Sequence, residues 1–506
     1  MRAVFGTFAL TAVLSLIATP IFRLIAIRVG LVDNPDGRRK LHEGRVAVSG
    51  GVPVYLTALF GILVALFIPN RWQATILSDA GFVIGLLAST GLIVLVGLID
   101  DAKGMRGRQK LLGQIVAVGI LVGCGLKIEK LAILGEVYSL GFFAVPFTMF
   151  WLLGAINAFN LIDGVDGLAS SLGLIISLGL AGMAAMYGNG AYALFAVALA
   201  GALAGFLVYN FPPARIFLGD SGSMLIGLVL GALAIRCSLK GAATAALVVP
   251  TAIWTIPIFD VAMAILRRKM TGKSVYETDR GHLHHRLMAR GVKGPKLLLG
   301  VGLLCSIAGL GSLASMWLDN EYLALASAGL VIMILVISRS FGHTELGMLA
   351  RRMKRFAASF VPSKGARDFG ALPIQAHLQG HREWDQLWEL LIDFADRFNI
   401  DAIELNVSMP ALGEEYHAKW SRRVLNGGST PEEQPGFRAD LPLVYEGSAA
   451  GRLRVSGFPS TRESVCDWVQ ELMQGLKPFE TRMLSLIDSS EAPATISDSR
   501  ERLKVG

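Results

Sequence analysis

Through residues 1–340 this chain is one apolar run after another, broken by short loops that carry most of the charge. A helix needs about 20 apolar residues to cross the hydrocarbon core of a bilayer. Candidate runs lie near residues 3–27, 50–69, 81–99, 110–127, 146–162, 167–187, 190–210, 220–236, 244–266, 296–317 and 321–339. They predict an all-α polytopic membrane protein with about eleven transmembrane helices. The first run, VFGTFALTAVLSLIATPIFRLIA, lacks a convincing signal-peptidase site and reads as a retained span. No internal repeat is evident.

The chain is 53% hydrophobic and only 17% charged, against about 25% charged in an ordinary soluble domain. That average hides a change of character after residue 340. The reading divides the chain into a transmembrane domain (1–340), a basic juxtamembrane linker (341–366), a soluble α/β accessory domain (367–488) and a disordered tail (489–506). The linker holds RRMKRF, which suits an anionic lipid surface. In the soluble part, helices are expected near 382–398 and 464–487, and strands near 401–407, 440–446 and 450–456. VYEGSAAGRLRV reads as a hairpin, and GGSTPEEQPG as a loop. No catalytic constellation is visible there.

The cysteines (Cys124, Cys237, Cys305 and Cys466) have no metal or redox spacing and read as packing residues in a reducing setting. The net charge of +8 reflects cytoplasmic loops in such a protein rather than nucleic-acid binding. Lys and Arg concentrate in one set of loops: around 38–45, 103–110, Arg215 and 267–290. The positive-inside rule puts that set in the cytoplasm, together with the C-terminal region. LAILGEVYSLGFFAV falls on the outer side and reads as a short hairpin around Gly135.

Five polar clusters then fall at the cytoplasmic ends of spans: RRKLHEGRVAVSGG, GLIDDAKG, NAFNLIDGVDGLA, NFPPARIFLGDSGS and DRGHLHHRL. Ionisable groups at membrane depth are costly and point to function. Asp100 and Asp101 close a helix where negative charge opposes the macrodipole, a poor place for idle carboxylates. Asn157, Asn160, Asp163 and Asp166 recur every third residue and lay a polar stripe along a helix. Interhelical hydrogen bonding is the simpler account of Asn157. Asp220 opens a span as an ordinary N-cap would. Alternatively it holds a cation while the helix amides face an anion. Magnesium suits such carboxylates, because it takes oxygen ligands and bridges to substrate phosphates; manganese is the alternative.

His282, His284 and His285 lie within four positions beside Arg280 and Arg286. A zinc hydrolase fits less well, because no glutamate stands in the metalloprotease arrangement. A cationic phosphate pocket fits better, with metal and cations absorbing transition-state charge.

The clusters GLIDD, NAFNLIDGVDGLA, NFPPARIFLGDSGS, PIFD and DRGHLHHRL resemble, in order and spacing, the polyprenyl-phosphate N-acetylhexosamine-1-phosphate transferases. The H-x-H-H form is closest to the branch that uses UDP-N-acetylglucosamine. The resemblance covers roughly residues 1–340. It implies transfer of a sugar-1-phosphate from a UDP-N-acetylhexosamine to undecaprenyl phosphate, releasing UMP, with magnesium. That would start a lipid-linked polysaccharide at the bacterial inner membrane. By position, Asp220 is implied as principal magnesium ligand, with Asp100 and Asp101 near the lipid phosphate and metal. Asp100 is the family's candidate base. Asn160 and Asp163 fall on the nucleotide side, with Asn157 and Asp166 flanking them. Asn210 and Phe217 match uridine-contacting positions. His282, His284 and His285, with Asp279, Arg280 and Arg286, belong to the diphosphate-binding loop. Lys40, His42 and Arg45 sit where a basic residue binds the donor. Gly104 stands where many relatives carry a further acid.

The main alternatives are other UDP-N-acetyl sugars (phospho-N-acetylmuramoyl-pentapeptide, N-acetylfucosamine, N-acetylquinovosamine), chosen by loop 267–295, or a transporter. A catalytically silent scaffold is a third. A homodimer and downstream glycosyltransferases are the protein partners open to such a chain.

Overall fold

The structure, a computed structural model, describes residues 2–33, 46–68, 70–238, 244–245, 247–271, 281–347, 349–350, 353, 374–379, 384–397, 400–409, 414–421, 437–445, 448–457 and 474. The chain divides into two compact units, Met1–His343 and Thr344–Gly506.

The first unit is helical: α1 Arg2–Val29, α2 Gly51–Phe67, α3 Gln73–Ser78, α4 Ala80–Lys103, α5 Gly107–Gly123, α6 Ala144–Ile162, α7 Leu168–Met186, α8 Gly190–Asn210, α9 Gly219–Cys237, α10 Val248–Ile253, α11 Thr255–Thr271, α12 Leu283–Ala289, α13 Pro295–Trp317 and α14 Glu321–Ile337. Seven helices among the described residues are long and apolar enough to cross a membrane: α1, α4, α6 with its preceding turn, α7, α8, α9 and α13. α2 and α14 are apolar but shorter. The chain is therefore a multi-pass membrane protein, and the expected eleven full-length spans are not all of spanning length. Two runs show why. The run 110–127 becomes α5, which begins at Gly107 and takes Arg108 and Lys110 into its first turn. The run 244–266 is divided at Trp254 into α10 and α11. Pro257 has no N–H to give Ile253, which costs the ladder a bond where the helix divides.

α9 is the hub, with 89% of its span buried against 22% for α1. α1 nevertheless packs closely. Its buried stripe is Thr7, Thr11, Ser15 and Thr19. The hydroxyls of Thr11 and Thr19 bond back to the carbonyls of Thr7 and Ser15, at 3.0 and 2.7 Å. Gly201 and Gly205 of α8 meet this stripe. A Cβ on either would lie 2.3 Å from a backbone oxygen of α1.

Short strands tie the loops together. β1 (Val32–Asp33) pairs antiparallel with β2 (Val46–Val48), and β2 pairs parallel with β5 (Ile216–Phe217). This joins the first polar cluster to the fourth. The hairpin expected around Gly135 is present as β3 (Lys130–Ile133) and β4 (Glu136–Ser139). Leu134 and Gly135 make its turn with positive φ, at 52° and 88°. β6 (Thr244–Ala245) adds in parallel to β3.

In the second unit, β7 (Ile374–Gln379), α15 (Trp384–Arg397), β8 (Ala402–Met409), β9 (Glu414–Ser421), β10 (Phe437–Tyr445) and β11 (Ser448–Gly457) follow in chain order. The strands form an antiparallel sheet of order β10-β11-β8-β9-β7. α15 packs Trp384, Leu387, Trp388, Leu391 and Phe394 into one core with Ile403, Leu405, Tyr416, Trp420, Leu453 and Val455. The expected helix at 382–398, three strands and the β10–β11 hairpin are observed. β7 and β9 were not expected. Of the helix expected near 464–487 only residue 474 is described, and it is helical; the loop 427–436 and the tail 489–506 lie outside the described residues.

Candidate active site

The site is built where helix ends meet without side chains between them. A Cβ on Gly97 of α4 would stand 2.3 Å from Cα of Ser221. One on Gly51 of α2 would stand 2.3 Å from the backbone nitrogen of Gly222. The backbones of α2 and α4 therefore press directly on the first turn of α9. Leu218, at the N-cap of α9, supplies no side-chain cap. Asp101 does so from α4. It accepts from the backbone N–H of Asp220 at 2.8 Å, from that of Ser221 at 3.2 Å, and from the Ser221 hydroxyl at 3.0 Å. A carboxylate at the positive end of the helix dipole is stabilising. The α9 amides thus face a protein carboxylate, and both Asp101 oxygens take part in that cap.

Asp100 has a different environment. α4 ends at Gly104, whose φ of +68° explains a glycine where relatives of the resembled family carry an acid. The turn brings the Met105 N–H to Asp100 Oδ1 at 2.6 Å. Asp100 Oδ2 lies 3.0 Å from the Lys110 ammonium. The same ammonium lies 2.9 Å from Asp220 Oδ2. Asp220 Oδ1 accepts a hydrogen bond from Asn160, which also donates to the Ser223 hydroxyl at 3.0 Å. So α4 and α9 converge on one cation of α5, and α6 joins through Asn160 on Asp220. Lys110 was counted in the sequence only as a loop charge. Its signal was a lysine at the mouth of an apolar run, four residues before the buried Gln114.

The other stripe residues divide. Asp163 stands beyond the end of α6. Burial, and then the carboxylates of Asp220, Asp101 and Asp166, hold its carboxyl well above the usual range. Asn157 gives its amide to Gln114 at 2.8 Å, the interhelical role that was the simpler account. Asp166 accepts the Ala214 N–H at 2.9 Å and so holds the loop after α8. Asn210 is buried; it accepts from Ser170 at 2.8 Å and donates to the Ile216 carbonyl at 2.9 Å. The structure thus gives Asn157, Asp166 and Asn210 bonds that hold the fold together. Phe217 is half-buried on β5 opposite Val48.

The histidine segment lies against the third cluster. A Cβ on Gly164 would lie 2.4 Å from His284 Nε2, so the glycine admits the ring. That nitrogen is buried with no hydrogen-bond partner among the described residues. Burial, helped by neighbouring His285, pushes the His284 imidazole down to about 3. That shift favours the neutral ring. His285 is half-buried, its ring 4.2 Å from that of His284. The buried Arg286 has its guanidinium 5.9 Å from the Phe341 ring centre. His282 Nδ1 lies 2.9 Å from Asp260 Oδ2. Lys40, His42, Arg45, Asp279 and Arg280 lie outside the described residues.

His284 carries a pH prediction. Below about pH 6.5 the unfolded chain binds a proton that the folded ring refuses. Its contribution is complete above that pH and falls as pH drops toward 3, at a limiting slope of about 1.4 kcal/mol per unit. Thermal unfolding of the detergent-solubilised protein should lose more stability between about pH 7.5 and about pH 5 than His284→Asn does. Equal losses would reject the assignment.

Among the described residues no group of three His, Cys, Asp or Glu is set to hold a metal. Magnesium needs less, since one or two carboxylates suffice when substrate phosphates and waters complete its shell. Asp100 and Asp220 already share one positive charge, that of Lys110. As hard oxygen donors around a cation they fit magnesium.

Transporter sites usually lie near the bilayer midplane on broken helices. Here the polar residues gather at one end of the bundle, as in a polytopic membrane enzyme. Residues 83–238 match the family model for glycosyl transferase family 4. A probable undecaprenyl-phosphate N-acetylglucosaminyl 1-phosphate transferase of Bacillus subtilis (strain 168) is 31% identical over 69% of this chain and 94% of its own length. A decaprenyl-phosphate N-acetylglucosaminephosphotransferase of Mycolicibacterium smegmatis is 33% identical over 65% and 86%. A phospho-N-acetylmuramoyl-pentapeptide-transferase of Moorella thermoacetica is 30% identical over 55% and 88%. The chain belongs to glycosyl transferase family 4.

Proposed function

We propose that the protein transfers N-acetylglucosamine-1-phosphate from UDP-N-acetylglucosamine to undecaprenyl phosphate and releases UMP. An oxygen of the acceptor phosphate forms a bond to the β-phosphorus of the donor. The bond from that phosphorus to the bridging oxygen breaks, and its electron pair leaves on UMP. The observation that carries this reading is the convergence of Asp100 and Asp220 on the Lys110 ammonium, with Asn160 bonded to Asp220. Two anions must approach each other, and two carboxylates sharing one lysine leave a net negative charge suited to a hard cation that would neutralise the phosphates.

Asp220 and Asp100 would hold magnesium, which supplies charge neutralisation between the phosphates. Lys110 holds the carboxylates in register, and Asn160 orients Asp220 through its amide. Asp101 keeps α9 seated. The acceptor phosphate has a second pKa near about 6 and is largely a dianion at neutral pH. Asp100 therefore acts by positioning more than by removing a proton. The two N-acetylglucosamine relatives favour this donor, since each covers more of the chain than the muramoyl-pentapeptide relative. By the positive-inside rule the site faces the cytoplasm of a bacterial inner membrane. Eleven crossings, with the shorter helices included, suit that orientation.

The test is UMP release by the purified full-length protein from UDP-N-acetylglucosamine, undecaprenyl phosphate and magnesium. Release should stop with a chelator and return with magnesium or manganese. No release with any UDP-N-acetyl sugar would reject the reaction. Release with a different sugar alone would reject only the donor.

A further inference from the structure

Asp260 lies within the apolar α11 and is 1% exposed. An unpaired carboxylate there would be costly, and this one is fully used. Its Oδ2 lies 2.9 Å from His282 Nδ1, and its Oδ1 accepts the Leu283 N–H at 2.8 Å. Leu283 is the first residue of α12, and His282, its N-cap, makes no side-chain cap of its own. One buried carboxylate thus caps the histidine helix and grips the ring of its first histidine. His282 is itself 3% exposed.

Two turns further along α11, Arg267 lies on the same helix face and meets the same segment. A Cβ on Gly281 would lie 2.1 Å from the centre of its guanidinium, so the glycine admits it. α11 therefore touches the histidine segment at two successive points, and Gly164 receives His284 on another side.

We propose that Asp260 is a positioning residue for the transfer reaction. Its carboxylate holds the proton of His282 on Nδ1 and leaves Nε2 as the working nitrogen toward the donor diphosphate. This rests on the reaction proposed above. A carboxylate on Nδ1 fixes the tautomer and the orientation of the ring. His282 is faced by Asp260 from α11 and by the ring of His284 from α12, 6.1 Å away and stacked.

Asp260→Asn tests this in the full-length protein. Asparagine can still accept the Leu283 N–H, but its NH₂ donates to Nδ1 and forces the proton onto Nε2. In ¹⁵N-histidine spectra the His282 signals, assigned with His282→Gln, should change from the Nδ1–H to the Nε2–H pattern. kcat for UMP release should fall about ten- to hundredfold, with the KM for the UDP-sugar changed less than about threefold. Asp260→Ala, which also loses the cap, should lower thermal stability as well. An unchanged kcat in Asp260→Asn would overturn the proposal. So would an unchanged tautomer, or a kcat loss explained wholly by unfolding. If the wild type releases no UMP, the reaction proposed above fails, while the spectra still decide whether Asp260 sets the tautomer.

Discussion

Asp220→Asn is expected to cut UMP release at least a hundredfold and closer to about a thousandfold, a loss of roughly 3–4 kcal/mol in transition-state stabilisation. The substitution is nearly isosteric. The α9 amides remain capped by Asp101, and the Asn160 amide still finds an oxygen to bond. The charge alone is removed, which leaves Asp100 as the carboxylate paired with Lys110. The loss should fall on kcat, with the melting temperature within a few degrees of wild type. Glutamate should not rescue it, because an extra methylene moves the carboxylate off the Lys110–Asn160 pair. A variant retaining a tenth of wild-type turnover would remove Asp220 from the reaction. The measurement is UMP release at saturating substrates across a magnesium titration.

The second large effect comes from a residue with no chemistry of its own. Gly97→Val places atoms where the Ser221 backbone already lies, 2.3 Å from the first added carbon. No side chain can swing away, so α4 and α9 must separate. Overpacking typically costs about 1–3 kcal/mol and more where backbone must move. We expect the upper end or failure to assemble. Separation also pulls Asp101 off the α9 amides and Asp100 away from Lys110. Gly97→Ala is the graded version: it should lower both the melting temperature and kcat, with kcat suffering more. Normal stability and turnover in Gly97→Ala would mean that the junction is looser than described.

The apolar runs were legible because length and hydropathy are local properties that the bilayer imposes. Each expected run contains a helix, and the Gly135 hairpin follows from its own turn residues. Helix ends were less legible. Pro257 is visible in the sequence, but the division at Trp254 depends on how α10 and α11 pack. In the soluble unit β9 carried a usable signal, since Tyr416, Ala418 and Trp420 alternate with His417 and Lys419. Its two leading glutamates and the charged Lys419 mask that alternation.

At the site, the sequence showed which polar residues are too costly to be idle but not which way they face. Asn157, Asn160 and Asp163 share one pattern. Yet Asn157 bonds across to α5 and Asn160 bonds to Asp220. Lys110 and Asp260 could not be singled out by spacing. Each acquires its meaning only from a partner on another helix, Asp220 for the first and His282 for the second.

The cap that Asp101 places on α9 has a consequence for biogenesis. A helix head with bare amides is poorly tolerated in a nonpolar setting, and here the remedy comes from an element more than a hundred residues earlier. Until that earlier helix docks, the most enclosed helix of the bundle has an unsatisfied end. Docking that completes the end also brings Asp220 to the lysine that Asp100 already holds, so seating the scaffold and completing the carboxylate pair depend on the same contact.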